Sequence, residues 1–153
     1  IENYRTTLRN MGRAGIPILG FHFMPNSVWR TERMAPGRGG AGCTQFDMAV
    51  VDAAPDTEAL RRFLPTGLGH QSAMPLAKGE VLYTEEQMWA NYAYFINAVL
   101  PVAEEAGVKM ALHPDDPPVP MLGGVARLFY KPENFIRAWE LNPASDYWGL
   151  DLC

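Results

Sequence analysis

The run His113-Pro114-Asp115-Asp116-Pro117-Pro118 constrains this 153-residue chain more tightly than any other stretch. It follows Val108-Lys109-Met110-Ala111-Leu112, a short apolar run behind Gly107 that reads as a buried strand. Proline lacks an amide proton and disfavours helix in the residue before it. Four prolines between positions 114 and 120 therefore forbid both a helix and further strand pairing. His113 sits where a strand stops. An imidazole at a strand end, backed by two carboxylates in a stiff loop, is what a metal or acid–base site in an α/β barrel is built from. The same residues also suit a hydrogen-bonded histidine on an acidic turn.

The flanking segments supply helices and strands in alternation. Ile1, Tyr4, Leu8 and Met11 recur at helical spacing, and Gly12 and Gly15 end that helix. Ile16-Pro17-Ile18-Leu19-Gly20-Phe21-His22-Phe23 reads as a second buried strand, with His22 near its C-terminal end. Thr84-Glu85-Glu86-Gln87 is a capping box that opens the strongest helix, whose apolar face runs through Met88, Tyr92, Phe95, Ile96, Val99, Ala103 and Ala106 to Gly107. Pro101 is expected to kink it. After a turn at Gly123-Gly124, a third helix starts with Pro132 in its first turn, is expected to carry Phe135, Ile136 and Trp139 inward, and ends near Asn142-Pro143. Tyr147 to Cys153 is a last strand, ending in a thiol.

This βα alternation predicts an α/β fold with a parallel sheet, as part of a (β/α)8 TIM barrel of about three βα units. A whole barrel takes about 250 residues, so the chain reads as one partial barrel domain over 1–153, a piece of something longer. Residues 24–83, rich in Pro and Gly and helical only around Asp56 to Phe63, form a long loop inserted after the first strand, a lid or an oligomer arm. The glycines of Gly37-Arg38-Gly39-Gly40-Ala41-Gly42 lack the spacing of a phosphate loop. All three strands place a metal-capable side chain at or near their ends, His22, His113 and Cys153, on the edge where barrel active sites assemble. A His with a Cys suits Zn, Fe or Mn without selecting among them, and a catalytic site needs at least one further protein ligand.

Composition narrows the partners. A net charge of -4 with dispersed arginines gives no footprint for nucleic acid. No apolar run approaches the ~20 residues of a membrane span, and no signal peptide is visible, so a cytoplasmic protein is expected. Two cysteines, Cys43 and Cys153, are too few for a secreted disulfide framework.

With the HPDDPP run at 113–118, the preceding Leu100-Pro101-Val102-Ala103-Glu104-Glu105-Ala106-Gly107-Val108 and the terminal Gly149-Leu150-Asp151-Leu152-Cys153, the chain resembles the mannonate dehydratases. Phe23-Met24-Pro25, Trp29 and the Phe46-Asp47 pair resemble the same family's segment after an earlier strand. The resemblance implies a TIM barrel of the xylose-isomerase-like group, a divalent ion, Mn2+ or Fe2+, and dehydration of D-mannonate to 2-keto-3-deoxy-D-gluconate in hexuronate (glucuronate) breakdown. It makes His113 and Cys153 metal ligands and implies a further His and Asp beyond Cys153. The family commonly has Asn where His22 stands, so His22 is expected to be a polar contact to substrate. Arg30 is expected to clamp the substrate carboxylate, or else to be a solvated loop arginine. Asp115 and Asp116 are expected to support the ligand from behind or to cap the loop.

Dehydrating a sugar acid removes the proton beside the carboxylate and expels the neighbouring hydroxyl, which calls for positive charge near the enediolate and for a general acid and base. The residues name neither acid nor base. Two other readings stay open: a sugar isomerase or epimerase of the same barrel group, and an inert fragment acting only by association. A homo-oligomer is expected.

Overall fold

The helix opened by Thr84 organises the molecule. The Gln87 amide donates to Thr84 Oγ1 at 3.3 Å and the Thr84 amide to Gln87 Oε1 at 2.9 Å, closing the expected capping box. Gly107 ends the helix with a left-handed backbone, φ 68°. Between these caps the helix passes Pro101 without interruption and buries Met88, Trp89, Tyr92, Ile96, Val99, Leu100, Val102 and Ala103.

The computed structural model describes residues 1–65 and 73–152. In chain order the elements are α1 (Glu2–Arg13), β1 (Ile18–Phe21), β2 (Glu32–Pro36), β3 (Gly42–Gln45), α2 (Met48–Asp52), α3 (Thr57–Leu60), α4 (Glu85–Ala106), β4 (Lys109–Leu112), β5 (Met121–Leu122), β6 (Val125–Ala126), α5 (Pro132–Glu140) and β7 (Trp148–Leu150). Strands β1, β4 and β7 form one parallel sheet with β4 in the middle. Each strand thus lies beside its neighbour in sequence, joined through α4 and then α5, which is the order of a barrel wall. The α/β, part-barrel reading of the sequence holds.

One face of the sheet carries Phe21, Met110 and Leu112 into a core with α4, Leu8 of α1, and Phe129. Aromatic contacts stitch this layer: Tyr4 meets Phe95 edge-on at 5.0 Å, and Phe129 meets Tyr92 at 5.0 Å. Helices α1 and α4 touch so closely that a Cβ on Gly12 would lie 2.3 Å from the Ala106 carbonyl oxygen, so only glycine fits there.

Residues 24–65 and 73–83 contain more order than their composition suggests. An antiparallel hairpin, β2–β3, is followed by α2 and α3, capped by the side chains of Asp47 and Asp56. Trp29, Val51, Ala54, Leu60, Phe63, Leu64 and Leu122 make a second core. The β5–β6 hairpin ties the two together, with Leu122 in the second core and Val125 and Ala126 in the first. Its turn is Gly123-Gly124, both at positive φ, and a Cβ on Gly123 would meet the Trp29 ring at 2.8 Å.

Helix α5 corrects one expectation. Asn134 and Ala138 are its buried residues, Phe135 is partly buried, while Ile136 and Trp139 are 57% and 48% exposed. The helix lies beside β7, which has a pairing partner on one side alone among the described residues. Its outer flank therefore has nothing to pack on there. Among the described residues no helix is long and apolar enough to cross a membrane.

Ile96 is fully buried where α4 crosses the sheet layer, so Ile96→Ala should lower unfolding free energy by about 2–5 kcal/mol. Thr84→Ala, which removes one cap, should cost about 1 kcal/mol. Denaturant titration of both variants checks this ordering, and equal losses would contradict the assignment of the core to α4.

Candidate functional site at the C-terminal edge of the sheet

Strand register determines what the sheet presents at its edge. Phe21, Leu112 and Leu150 lie side by side, so the next row is His22, His113 and Asp151. Backbone bonds hold that row: the His113 amide donates to the Phe21 carbonyl at 2.8 Å, and the Asp151 amide to the Leu112 carbonyl at 2.9 Å. Side chains alternate across a strand, and Phe21, Leu112 and Trp148 belong to the helix-covered core. The histidines and Asp151 therefore share the opposite face with Gly20, Ala111 and Gly149.

His113 Nδ1 lies 2.7 Å from the Pro114 carbonyl oxygen. A carbonyl only accepts, so this contact requires the proton on Nδ1 and leaves the Nε2 lone pair for another partner. Metal-binding histidines are prepared in this way. His22 stands close by. Partial loss of solvent, followed by the charges of His113 and Arg127, lowers its pKa from the ordinary histidine value. Each of these favours its uncharged form.

Behind this row the proline loop is anchored by Asp115. Its amide donates to the Phe129 carbonyl at 2.9 Å, and the Phe129 amide donates back to Asp115 Oδ2 at 2.7 Å. The residue is 3% exposed. Burial raises its pKa, opposed chiefly by the Arg127 charge and the Phe129 amide. Its other oxygen, Oδ1, has no hydrogen-bond partner among the described residues, so Arg127 answers its charge without touching it.

Arg127 was not singled out in the sequence, yet it joins the loops. It is 1% exposed, and Nη2 donates to the Ser27 carbonyl at 3.0 Å and the Asp116 carbonyl at 3.2 Å. The signal for it was a charge inside the apolar run Val125 to Tyr130. Asn26, also fully buried, donates from Nδ2 to the Leu122 carbonyl at 2.7 Å, fixing the segment after β1 against the β5–β6 hairpin.

Arg30 and Asp116 were expected in separate roles, and the structure pairs them. Arg30 Nη1 donates to Asp116 Oδ1 at 3.0 Å and to the Trp29 carbonyl at 2.8 Å, while Nη2 donates to Asp116 Oδ2. This two-pronged geometry suits a guanidinium and a carboxylate. The fork expected to meet a substrate carboxylate is engaged here by one from the protein. Cys153, the expected second metal ligand, lies outside the described residues. Among the described residues no three metal-capable side chains converge on one point. His113, whose Nε2 has no hydrogen-bond partner among the described residues, fits the place of one nitrogen ligand to a divalent ion.

The Asp115–Phe129 exchange is the loop's main tether. Asp115→Ala should lower unfolding free energy by about 1–3 kcal/mol by orphaning the buried Phe129 amide and the Arg127 charge. Thermal unfolding checks this, and an unchanged midpoint would contradict the tether.

The D-mannonate dehydratase (UxuA) family model matches residues 1–153. Mannonate dehydratase of Streptococcus suis (strain 05ZYH33) is 38% identical over 157 aligned residues, covering all of this chain and 42% of that protein. The Bacillus subtilis (strain 168) mannonate dehydratase is 35% identical, covering 80% of this chain and 37% of its own length. The crystal structure of mannonate dehydratase from Streptococcus suis serotype 2 superposes with a TM-score of 0.78 at 35% identity, over 99% of this chain and 40% of that one. The chain thus spans about two fifths of the length of these relatives. On the strength of a match along its whole length, this chain belongs to the D-mannonate dehydratase family.

Proposed function

We propose that these residues form one wall of the active site of a hydro-lyase that converts D-mannonate to 2-keto-3-deoxy-D-gluconate in glucuronate breakdown. The observation that carries this reading is His113, on the central strand's C-terminal edge, with Nδ1 tied to a carbonyl and Nε2 without a hydrogen-bond partner among the described residues. His113 and Cys153 would hold a divalent ion, Mn2+ or Fe2+. Such an ion would supply positive charge beside the substrate carboxylate as electron density builds there.

The reaction takes the proton from C2 of the sugar acid and expels the C3 hydroxyl as water; the resulting enol becomes the 2-keto acid on protonation at C3. The protein's own residues serve binding and orientation. His22, whose surroundings favour the uncharged imidazole, can exchange hydrogen bonds with a substrate hydroxyl. Asp115 and Arg127 hold the loop that aims the His113 ring. Arg30 acts first through Asp116, and a substrate carboxylate would reach its fork only by exchanging with that side chain.

The test is to give D-mannonate to the full-length gene product, stripped with chelator and resupplied with Mn2+, and to measure 2-keto acid. Expected is metal-dependent product with one water lost, falling about a hundredfold or more in His113→Ala, together with bound metal. A product of unchanged mass would assign an isomerase or epimerase instead, and no product at all would overturn the reading.

A further inference from the structure

Asp151 is the third member of the row that holds His22 and His113, and nothing so far gives its side chain a task. Among the described residues no hydrogen bond or ion pair holds its carboxylate, although its backbone amide is fixed to Leu112. The side chain leans inward across the sheet: Oδ2 lies 3.7 Å from the point where a Cβ on Gly20 would stand. Beneath it the three strands present Gly20, Ala111 and Gly149 side by side, a floor with a single methyl group. A carboxylate thus overhangs a strip of small residues, in the row that holds the two histidines.

We infer that Asp151 contacts the substrate, binding hydroxyl groups of a polyhydroxy acid whose chain lies along the Gly20-Ala111-Gly149 floor. The inference deepens the sugar-acid reading above and rests on it. Neighbouring hydroxyls are donors, and an ionised carboxylate accepts from them more strongly than a neutral acceptor does. Glycine and alanine in the row below let a flat chain approach the backbone, which larger side chains there would prevent. Asp151 thereby sets which hydroxyls are gripped, while His113 and its partners meet the other end of the molecule.

Two variants separate grip from floor. Asp151→Asn keeps the shape and removes the charge; Gly149→Val puts a branched side chain on the floor, at a strand position, and leaves Asp151 in place. The measurement is calorimetric binding of D-mannonate to the full-length protein, beside turnover, metal content and unfolding midpoint. Expected is binding weakened about tenfold or more in each variant, with metal content and midpoint unchanged. Binding within about twofold of the parent in Asp151→Asn would overturn the inference, and if the parent still dehydrates D-mannonate the function stands without it. A parent that binds D-mannonate without dehydrating it would overturn the function, and the Asp151→Asn comparison would still decide the inference. A parent that does neither would overturn both.

Discussion

Two hydrogen bonds exchanged between Asp115 and Phe129 hold the site in shape. Phe129 is fully buried against Tyr92 and Trp89 of α4, so a loop tied to its backbone is tied to the core. Through that tie the proline-rich turn after β4 takes a fixed position, and His113 is aimed from a rigid base. Arg127 extends the connection sideways, because one nitrogen grips carbonyls from the segments after β1 and after β4. The arrangement is electrostatically tense. A buried carboxylate and a buried guanidinium each leave polar atoms without hydrogen-bond partners among the described residues, and each shifts toward its neutral form. Their mutual attraction offsets part of that cost.

Much of the framework was legible because it is written in local signals. The capping box at Thr84, the glycine at 107 and the prolines after His113 each dictate backbone geometry within a few residues, and each does so here. Parallel strands read as apolar runs because their buried face and short length leave little choice. The β2–β3 hairpin was not legible, since its strands are almost wholly exposed and carry no alternation. Ile136 and Trp139 form the apolar stripe that the periodicity records, and among the described residues nothing lies opposite it.

The site was legible by residue type and less so by pairing. His22 and His113 share a row as strand ends should, and the row's third place is held by Asp151, which the sequence did not single out. Register is a relation between chains of contacts, and a single strand does not carry it. The Arg30–Asp116 pair was hidden for the same reason, as its members stand far apart in sequence and meet through two loops.

The order of the strands bears on how the molecule acquires its shape. Met110 meets Trp148 across one short helix and its loops, whereas Ile18 must find Lys109 across the whole excursion and α4. Closing the longer span costs more chain entropy, and contacts of that range slow folding. The excursion, however, supplies most of a second core around Trp29 and Leu60, which Leu122 completes from beyond β4. Once that core condenses, the effective length of chain between β1 and β4 shrinks, so the satellite core works as an internal staple that brings the first strand within reach of the second.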